Sequence, residues 1–96
     1  KKRVEVGDLY AFSLMGGHYY LGRHYLPQDS AKAVELWQKA GKFGYTNLGN
    51  AYYNGDGVER DKKMARHYYE LAAINGDVMA SSHLYSVLIV GLVAYI

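Results

Sequence analysis

Apolar residues recur at helical spacing in the middle of the chain, beginning at Leu48. Leu48, Ala51 and Tyr52 stand at i, i+3 and i+4, which places them on one side of a helix with about 3.6 residues per turn. Residues 54–57, Asn-Gly-Asp-Gly, then break the helix, because glycine readily adopts the positive-φ conformations of tight turns. A second apolar stripe follows at i, i+3, i+4 and i+7, formed by Ala65, Tyr68, Tyr69 and Ala72. The pattern predicts a hairpin of two helices.

Three further residues mark the construction of this hairpin. Asp61 stands where an N-terminal cap of the second helix is needed, and Gly76 stands where a glycine ends a helix. Gly49 leaves room on the first helix for another helix to approach closely. One hairpin cannot bury its own apolar face, so we expect neighbouring hairpins to cover it.

The same pattern occurs earlier in the chain. Residues 15–22 align with residues 48–55, and Asp29 aligns with Asp61 after one extra residue in the turn. The second stripe of this earlier copy consists of Ala33, Leu36, Trp37 and Ala40. A partial third copy begins near Gly76. We therefore predict one repeat domain over residues 1–96, with repeats at 8–44, 45–76 and 77–96, the last of them partial.

The predicted fold class is all-α, an α/α superhelix of about five antiparallel helices. The expected helices span about 8–21, 30–42, 45–54, 61–75 and 77–90. Fewer residues separate Gly44 from Leu48 than separate Gly76 from Leu84, and the difference removes about one helical turn. We therefore expect the third helix to be short.

Composition excludes several classes of site. The chain has no cysteine, which excludes disulfides and thiolate metal sites but does not fix the compartment. The net charge is +2 and both signs alternate along the chain, so the basic run at residues 1–3 is interpreted as a solvated terminus and no nucleic-acid partner is predicted. The 11 tyrosines are interpreted mainly as packing residues of thin helical layers.

Catalytic and metal chemistry find little support in the residue pattern. No two of the four histidines have the i, i+4 spacing of a helical metal pair. Residues 54–59 lack the oxygen-ligand series and distal glutamate of a calcium loop. The carboxylates form no pair at a catalytic spacing, and no nucleophile motif or phosphate loop occurs. We predict a protein that is not an enzyme and that has no catalytic, metal or cofactor site.

The repeat resembles the Sel-one-like repeat, a relative of the tetratricopeptide repeat. The residues that carry the resemblance in the second copy are Leu48-Gly49, Tyr52, Gly55-Asp56-Gly57-Val58, Asp61, Ala65, Tyr69, Ala72-Ala73 and Gly76. The first copy keeps Gly16, Tyr19, Gly22, Asp29, Lys32-Ala33, Trp37, Ala40 and Gly44, but has Met15 for leucine and residues 23–27 in place of Gly-x-Gly-Val. The resemblance implies a right-handed α/α superhelix that serves as a scaffold or adaptor in protein complexes.

In such families the first helix of each hairpin lines a concave surface, and the resemblance implies that its outward residues contact the partner. The residues in this position are Tyr10, Ser13, Gly17, Tyr20, Thr46, Asn50, Tyr53, Asn54, Ser82 and Ser86. Amides beside tyrosine rings suit an extended peptide, since they pair with its backbone and cover its side chains. We predict a protein or peptide partner, with Tyr20, Asn50 and Tyr53 as the central contacts.

The segment 84–96 has 13 residues and no charge, fewer than the roughly 20 that a membrane-spanning helix needs. Three interpretations remain open: a last helix that leaves one apolar side for a further repeat, the start of a membrane helix, and an edge for self-association. Two alternative functions accompany them, a structural spacer of a longer solenoid and a membrane-associated adaptor segment. Membrane association is the less favoured of the two.

Overall fold

The computed structural model describes residues 5–76 and Ile89, and over this part of the chain it contains α-helices, one 3-10 helix and no strand. The helices are α1 (Val6–Leu21), α2 (Ser30–Lys39), α3 (Tyr45–Asn54) and α4 (Lys62–Ile74), with the 3-10 helix Gly41–Gly44 between α2 and α3. Helix α1 packs against α2, α3 packs against α4, and α2 also contacts α3. The described chain therefore consists of two adjoining helical hairpins, which confirms the predicted all-α repeat class.

Both hairpins use the same capping residues at the start of the second helix. The Asp29 carboxylate accepts a hydrogen bond from the backbone N–H of Lys32 at 3.0 Å. The Asp61 carboxylate accepts from the backbone N–H groups of Lys63 and Met64 at 3.0 and 3.1 Å. Each carboxylate satisfies helix N–H groups that have no partner within the helix. The predicted cap at Asp61 and its equivalence with Asp29 are confirmed.

The core lies largely between the two hairpins. One buried cluster combines residues of α2 with residues of α3, namely Ala33, Val34, Trp37, Leu48 and Ala51. A second cluster, Ala65, Tyr69 and Ala72, lies on α4 and is covered by partly buried tyrosines of α3. Because α3 contacts both clusters, the second hairpin buries its first helix on both sides.

The tyrosines complete these clusters from their edges. Tyr52 and Tyr68, which the sequence places in the apolar stripes, are only partly buried, and their rings stack at 5.7 Å between centroids. Tyr19 and Tyr20 pack against the first cluster. A tyrosine ring at such an edge buries its face and keeps its hydroxyl near water. This agrees with the interpretation of the tyrosines as packing residues.

One glycine in each hairpin allows the two helices to approach closely. A Cβ atom added to Gly49 would lie 2.5 Å from the ring of Tyr69, and a Cβ atom added to Gly16 would lie 2.5 Å from the indole nitrogen of Trp37. In each hairpin a buried aromatic ring of the second helix thus rests on the bare backbone of the first. The close approach expected at Gly49 is confirmed, and Gly16 repeats it.

The bounds of α1 and α2 differ from the prediction. Helix α2 was expected to span 30–42 but ends at Lys39, because Gly41 adopts φ +58° and diverts the chain into the 3-10 helix. Helix α1 was expected to begin near residue 8 but begins at Val6, because Glu5 and Asp8 form a reciprocal capping box. The prediction missed both ends because neither follows from apolar periodicity.

The prediction of a short third helix is confirmed, since α3 has 10 residues and α1 has 16. The predicted fifth helix at 77–90, the candidate contacts Ser82 and Ser86 and the apolar segment 84–96 lie outside the described residues, apart from Ile89. The basic run at residues 1–3 also lies outside them.

Candidate functional site

A cavity of about 270 Å³ opens between the first helices of the two hairpins. We call it the α1–α3 groove. Its lining residues come from both hairpins: Gly17, Tyr20 and Leu21 from α1, Trp37 from α2, Asn47, Asn50 and Ala51 from α3, and Asp56 from the turn after α3. Each first helix contributes residues at i, i+3 and i+4, which is one continuous helix face. The groove therefore exists only because the two hairpins lie side by side.

The α1 wall is recessed at Gly17. A Cβ atom built there would meet only the guanidinium of Arg23, at 3.8 Å. Gly17 lies between Tyr20 and Leu21 around the helix, so this Cβ would point into the groove. Leu21 beside it keeps 57% of its surface exposed and offers an apolar contact. The lack of a side chain at Gly17 helps to create the space in the groove.

The α3 wall presents two asparagine amides. The Tyr69 hydroxyl donates a hydrogen bond to Asn50 Oδ1 at 2.6 Å, and this bond fixes the orientation of the amide. Because Tyr69 occupies Oδ1, the amide donor Nδ2 is the group of Asn50 that suits a ligand's carbonyl oxygen. Burial, and secondarily Tyr53, raises the pKa of Tyr69 to about 12, so its hydroxyl remains a donor at neutral pH. Asn47, one helical turn earlier, is half-buried at the same wall.

An indole ring and a carboxylate complete the groove. Trp37 is 4% exposed, and its ring N–H donates to the backbone carbonyl of Ser13 at 3.3 Å. The Tyr20 ring packs against Trp37 with 5.6 Å between centroids. The Tyr20 hydroxyl donates to Asp56 Oδ2 at 3.1 Å, and this hydrogen bond is the largest cause that raises the pKa of Tyr20, followed by the Asp56 charge and burial. Tyr20 therefore links the first hairpin to the turn of the second.

The groove brings together three of the contacts expected from the sequence, Gly17, Tyr20 and Asn50. Tyr53, expected as a third central contact, is half-buried against the second core cluster and does not line the groove. Asn54 is exposed at the last position of α3, and Thr46 is half-buried in its first turn.

The other two candidates within the described residues, Tyr10 and Ser13, lie near the start of α1 and contact the 3-10 helix. The Ser13 hydroxyl donates to the Phe43 carbonyl at 2.9 Å. The Tyr10 ring, 53% exposed, meets the Phe43 ring edge-on with 5.4 Å between centroids. Both residues join α1 to the segment between α2 and α3, away from the groove.

Sequence reasoning missed several groove residues. Asn47 and Leu21 share a helix face with Asn50 and Gly17 respectively, so helical spacing was a sufficient signal for both. Trp37 was assigned to the core and serves both the core and the groove. No sequence pattern indicated Asp56 as a groove residue, because only the tertiary fold brings the turn after α3 to the end of α1.

A second, more open cavity of about 450 Å³ lies beside the turn between α3 and α4. It is lined by Tyr52, Val58, Glu59, Arg60 and Asp61. Asp61 already caps α4, and three of the five lining residues are exposed charged side chains of one loop. This cavity offers less defined chemistry than the α1–α3 groove.

Among the residues that the structure describes, no three histidine or carboxylate side chains cluster closely enough to hold a metal ion. No helix within the described ranges has both the length and the apolar character needed to cross a membrane.

Beyond the groove, a histidine pair lies at the end of α1. The rings of His18 and His24 meet edge-on with 4.4 Å between centroids, and His18 Nδ1 is buried with no hydrogen-bond partner. Burial lowers the pKa of His18, and the neighbouring His24 and Arg23 lower it further. His24 and Tyr25 both adopt positive φ, at 56° and 63°.

Two adjoining helical hairpins with a groove between their first helices define an α/α helical-repeat protein. The family model for the Sel1 repeat matches residues 13–42 and 43–77. The chain therefore belongs to the Sel1 repeat family. Proteins of this family are helical-repeat modules of protein–protein interaction.

Two similar proteins place the chain within this family. It is 38% identical over 76 residues to the ERAD-associated E3 ubiquitin-protein ligase component HRD3B of Arabidopsis thaliana, covering 78% of this chain and 12% of the plant protein. The crystal structure of c5321, a protective antigen of uropathogenic Escherichia coli strains that displays an SLR fold, superposes with a TM-score of 0.75 at 34% identity. That match covers 79% of this chain and 17% of the antigen chain. The chain thus spans less than a fifth of either protein.

Proposed function

We propose that this chain is a non-enzymatic scaffold module that binds an extended segment of a protein partner in the α1–α3 groove. The observation that carries the proposal is that two asparagines, Asn47 and Asn50, line the same groove as the exposed apolar side chain of Leu21. Amide groups pair with the backbone of an extended peptide, and an apolar floor covers its side chains. The membership of the Sel1 repeat family supports a protein partner.

The spacing of the two amides suits such a ligand. Side chains at i and i+3 of a helix stand roughly 5–6 Å apart. In an extended peptide, groups on the same side recur every second residue, at about 6.6 Å. Asn47 and Asn50 can therefore reach successive backbone groups on one edge of the same strand. The Tyr69 hydroxyl holds Asn50 in place, so little side-chain entropy is lost when the ligand binds.

The absence of catalytic function belongs to the same proposal. Among the described residues that line the groove, Asp56 is the only carboxylate, and none is a histidine, lysine or arginine. The Tyr20 phenol beside it has a raised pKa and donates its hydroxyl hydrogen bond to Asp56. The two groups therefore bind each other and do not form a general acid and a general base that act on a substrate. An active site needs convergent titratable groups with matched roles.

A groove-filling substitution tests the proposal. Gly17→Leu adds a side chain that points into the groove, and its Cβ position is free of close contacts. We expect the variant to lose binding, by about tenfold or more, to peptides that wild-type protein selects from a phage-displayed library of random dodecapeptides. Fluorescence anisotropy with the selected peptides measures the loss.

Gly7→Leu is the matched control. It makes the same change in the same helix, at a position where an added Cβ meets nothing within 4 Å, and it does not line the groove. The control should bind the selected peptides like wild type, and thermal melts should show that both variants fold. Equal peptide affinity of Gly17→Leu and wild type would contradict binding in this groove.

A second candidate function, a spacer within a longer solenoid, has its own supporting observation. Met15 is 48% exposed, whereas Leu48 at the equivalent repeat position is 2% exposed because it packs on the preceding hairpin. The outer face of α1 would suit a further repeat. If light scattering shows a soluble monomer, and if Met15→Gln does not increase its solubility, these results would argue against a stacking edge on α1. The proposed self-association and the membrane-associated adaptor depend on residues 84–96 and remain predictions.

A further inference from the structure

The α1–α3 groove ends at a carboxylate that no described cation neutralises. Asp56 lines the groove, is half-buried, and uses Oδ2 to accept the Tyr20 hydroxyl. The ion pairs among the described residues lie within single helices, one in α4 and two in α2, and none involves Asp56. The Oδ1 atom of Asp56 therefore has no described hydrogen-bond or ion-pair partner.

Both hairpins hold this carboxylate in place. Asp56 lies between Gly55 and Gly57, which adopt φ of +76° and +74°. The backbone of Gly57 lies so close to the backbone of Ser30, at the start of α2, that a Cβ atom would not fit. The backbone N–H of Asp56 donates to the Ala51 carbonyl at 2.9 Å. A carboxylate held in this way loses little freedom when it binds a ligand.

The surroundings favour a cation with a long apolar stem. Leu21, which is 57% exposed, and the half-buried ring of Tyr20 form apolar surface in the same groove, and the Tyr20 ring packs on Trp37. Lysine and arginine side chains lay their methylene stems along such surface and place the charge at its end. Aromatic faces near the charge add a cation–π attraction. Arg23 approaches Gly17 on the α1 wall but does not line the groove.

We propose that the α1–α3 groove selects partner segments with a lysine or arginine side chain, whose cationic group binds the Asp56 carboxylate while its stem lies along Leu21 and the ring of Tyr20. This inference rests on the proposed function and adds the chemistry of the partner to it. A charged pair at the end of a partly buried groove gives specificity and orients the segment. Its strength falls with salt, because the groove is open to solvent.

The test compares selections on the wild-type chain, Asp56→Asn and Glu59→Gln, with the same phage-displayed random dodecapeptide library. Asp56→Asn keeps an oxygen that accepts the Tyr20 hydroxyl and removes only the charge. Glu59→Gln is the matched control, because Glu59 is an exposed carboxylate of the same turn that does not line the groove. We expect lysine or arginine at a fixed position in peptides selected by wild type and by Glu59→Gln, and no such preference with Asp56→Asn.

An affinity measurement makes the comparison quantitative. For one selected lysine-containing peptide, replacing that lysine by norleucine should weaken binding to wild type about tenfold, as a solvent-screened charged hydrogen bond predicts. The same replacement should change the affinity of Asp56→Asn less than about twofold.

The outcomes separate this inference from the proposed function. If peptides are selected and Gly17→Leu abolishes their binding, but their cation preference is missing or survives Asp56→Asn, the inference fails and the groove function stands. If Gly17→Leu has no effect on the selected peptides, or if no peptide is selected at all, both fail.

Discussion

At the scale of single residues, Gly49 shows most directly how the helices are held. Its backbone supports the Tyr69 ring, which is 2% exposed, and the Tyr69 hydroxyl is tied to Asn50. A ring that is buried and hydrogen-bonded cannot move away cheaply from an added methyl group. The glycine therefore contributes to stability through the approach that it permits.

Gly49→Ala should destabilise the chain by up to about 2 kcal/mol. The new Cβ would lie 2.5 Å from the Tyr69 ring, and the overpacking cost of roughly 1–3 kcal/mol is offset by a gain of about 1 kcal/mol in helix propensity. Urea denaturation followed by circular dichroism measures the change in the free energy of unfolding.

Gly7→Ala serves as the control for this prediction. Its Cβ would meet nothing within 4 Å, so the variant should be unchanged or more stable by up to about 1 kcal/mol. Equal stability changes for the two variants would show that Tyr69 does not press on Gly49.

Several residue roles were readable from the sequence, and others required the fold. Asp61 acts locally, because its carboxylate caps the helix that follows it, so its neighbours in the sequence predict what it does. Asn50 was predicted as a contact through its amide, but the hydrogen bond from Tyr69 that orients it joins residues 19 positions apart. Asp56 shares no helix face with any groove residue, so no periodicity connects it with Tyr20.

At the scale of elements, the junction of α2 with α3 shows where sequence patterns stop being informative. Apolar spacing predicted helix to residue 42, whereas Gly41 ends it with a left-handed turn. The 3-10 helix that follows is held by the Ser13 hydroxyl, which donates to the Phe43 carbonyl from α1. A contact 30 residues away in the sequence cannot be inferred from local propensity.

The connector between α1 and α2 contains a histidine contact that responds to pH. His18, in the last turn of α1, meets His24 in this connector and has no partner for its buried Nδ1. Protonation of His18 would place a charge beside His24 and Arg23, and each of these neighbours lowers the pKa of His18. The folded chain therefore resists protonation at this position.

Stability should fall as the pH decreases from 7 towards 5. The pKa of His18 lies below its ordinary value of 6.5 in the folded chain, so the unfolded chain binds the proton first as the pH falls. Above pH 6.5 both states are mostly neutral at this residue and the effect disappears. His18→Gln removes the titration and should flatten this part of the stability profile, measured as thermal midpoints against pH.

His67→Gln is the control for the pH profile, because His67 is an exposed histidine of α4. It should leave the slope between pH 7 and 5 close to that of wild type. A His18→Gln profile as steep as that of wild type would exclude the histidine pair as a source of acid sensitivity.

At the scale of the whole molecule, the groove is a consequence of repetition. The buried cluster of α2 and α3 holds the hairpins together, and this contact sets α3 beside α1. The repeat pattern and the resemblance it carries predicted that the first helices of the hairpins share one surface, and the groove lies between them. The groove itself depends on Gly17, which has no side chain, and on Trp37, the residue of α2 that lines it. Neither feature follows from the hydrophobic period.

The same arrangement explains why some of the predicted contacts line the groove and others do not. Tyr20 and Asn50 face each other across the groove, whereas Tyr10 and Ser13 lie near the start of α1, beside the 3-10 helix. A surface drawn from helix faces alone treats these positions as equivalent. The fold distinguishes them, because α3 has 10 residues and α1 has 16. The shorter helix forms the groove with residues near the end of α1.

The central claim is that an extended segment binds between α1 and α3, and NMR tests it most directly. A lysine-containing peptide selected on the wild-type chain is titrated into ¹⁵N-labelled protein. We predict that the backbone amide of Gly17 and the side-chain amides of Asn47 and Asn50 shift most, with little change at exposed positions of α4 such as Arg66 and Glu70. Saturable shifts confined to α4 or to residues 58–61, with the Asn47 and Asn50 side-chain amides unmoved, would contradict the claim.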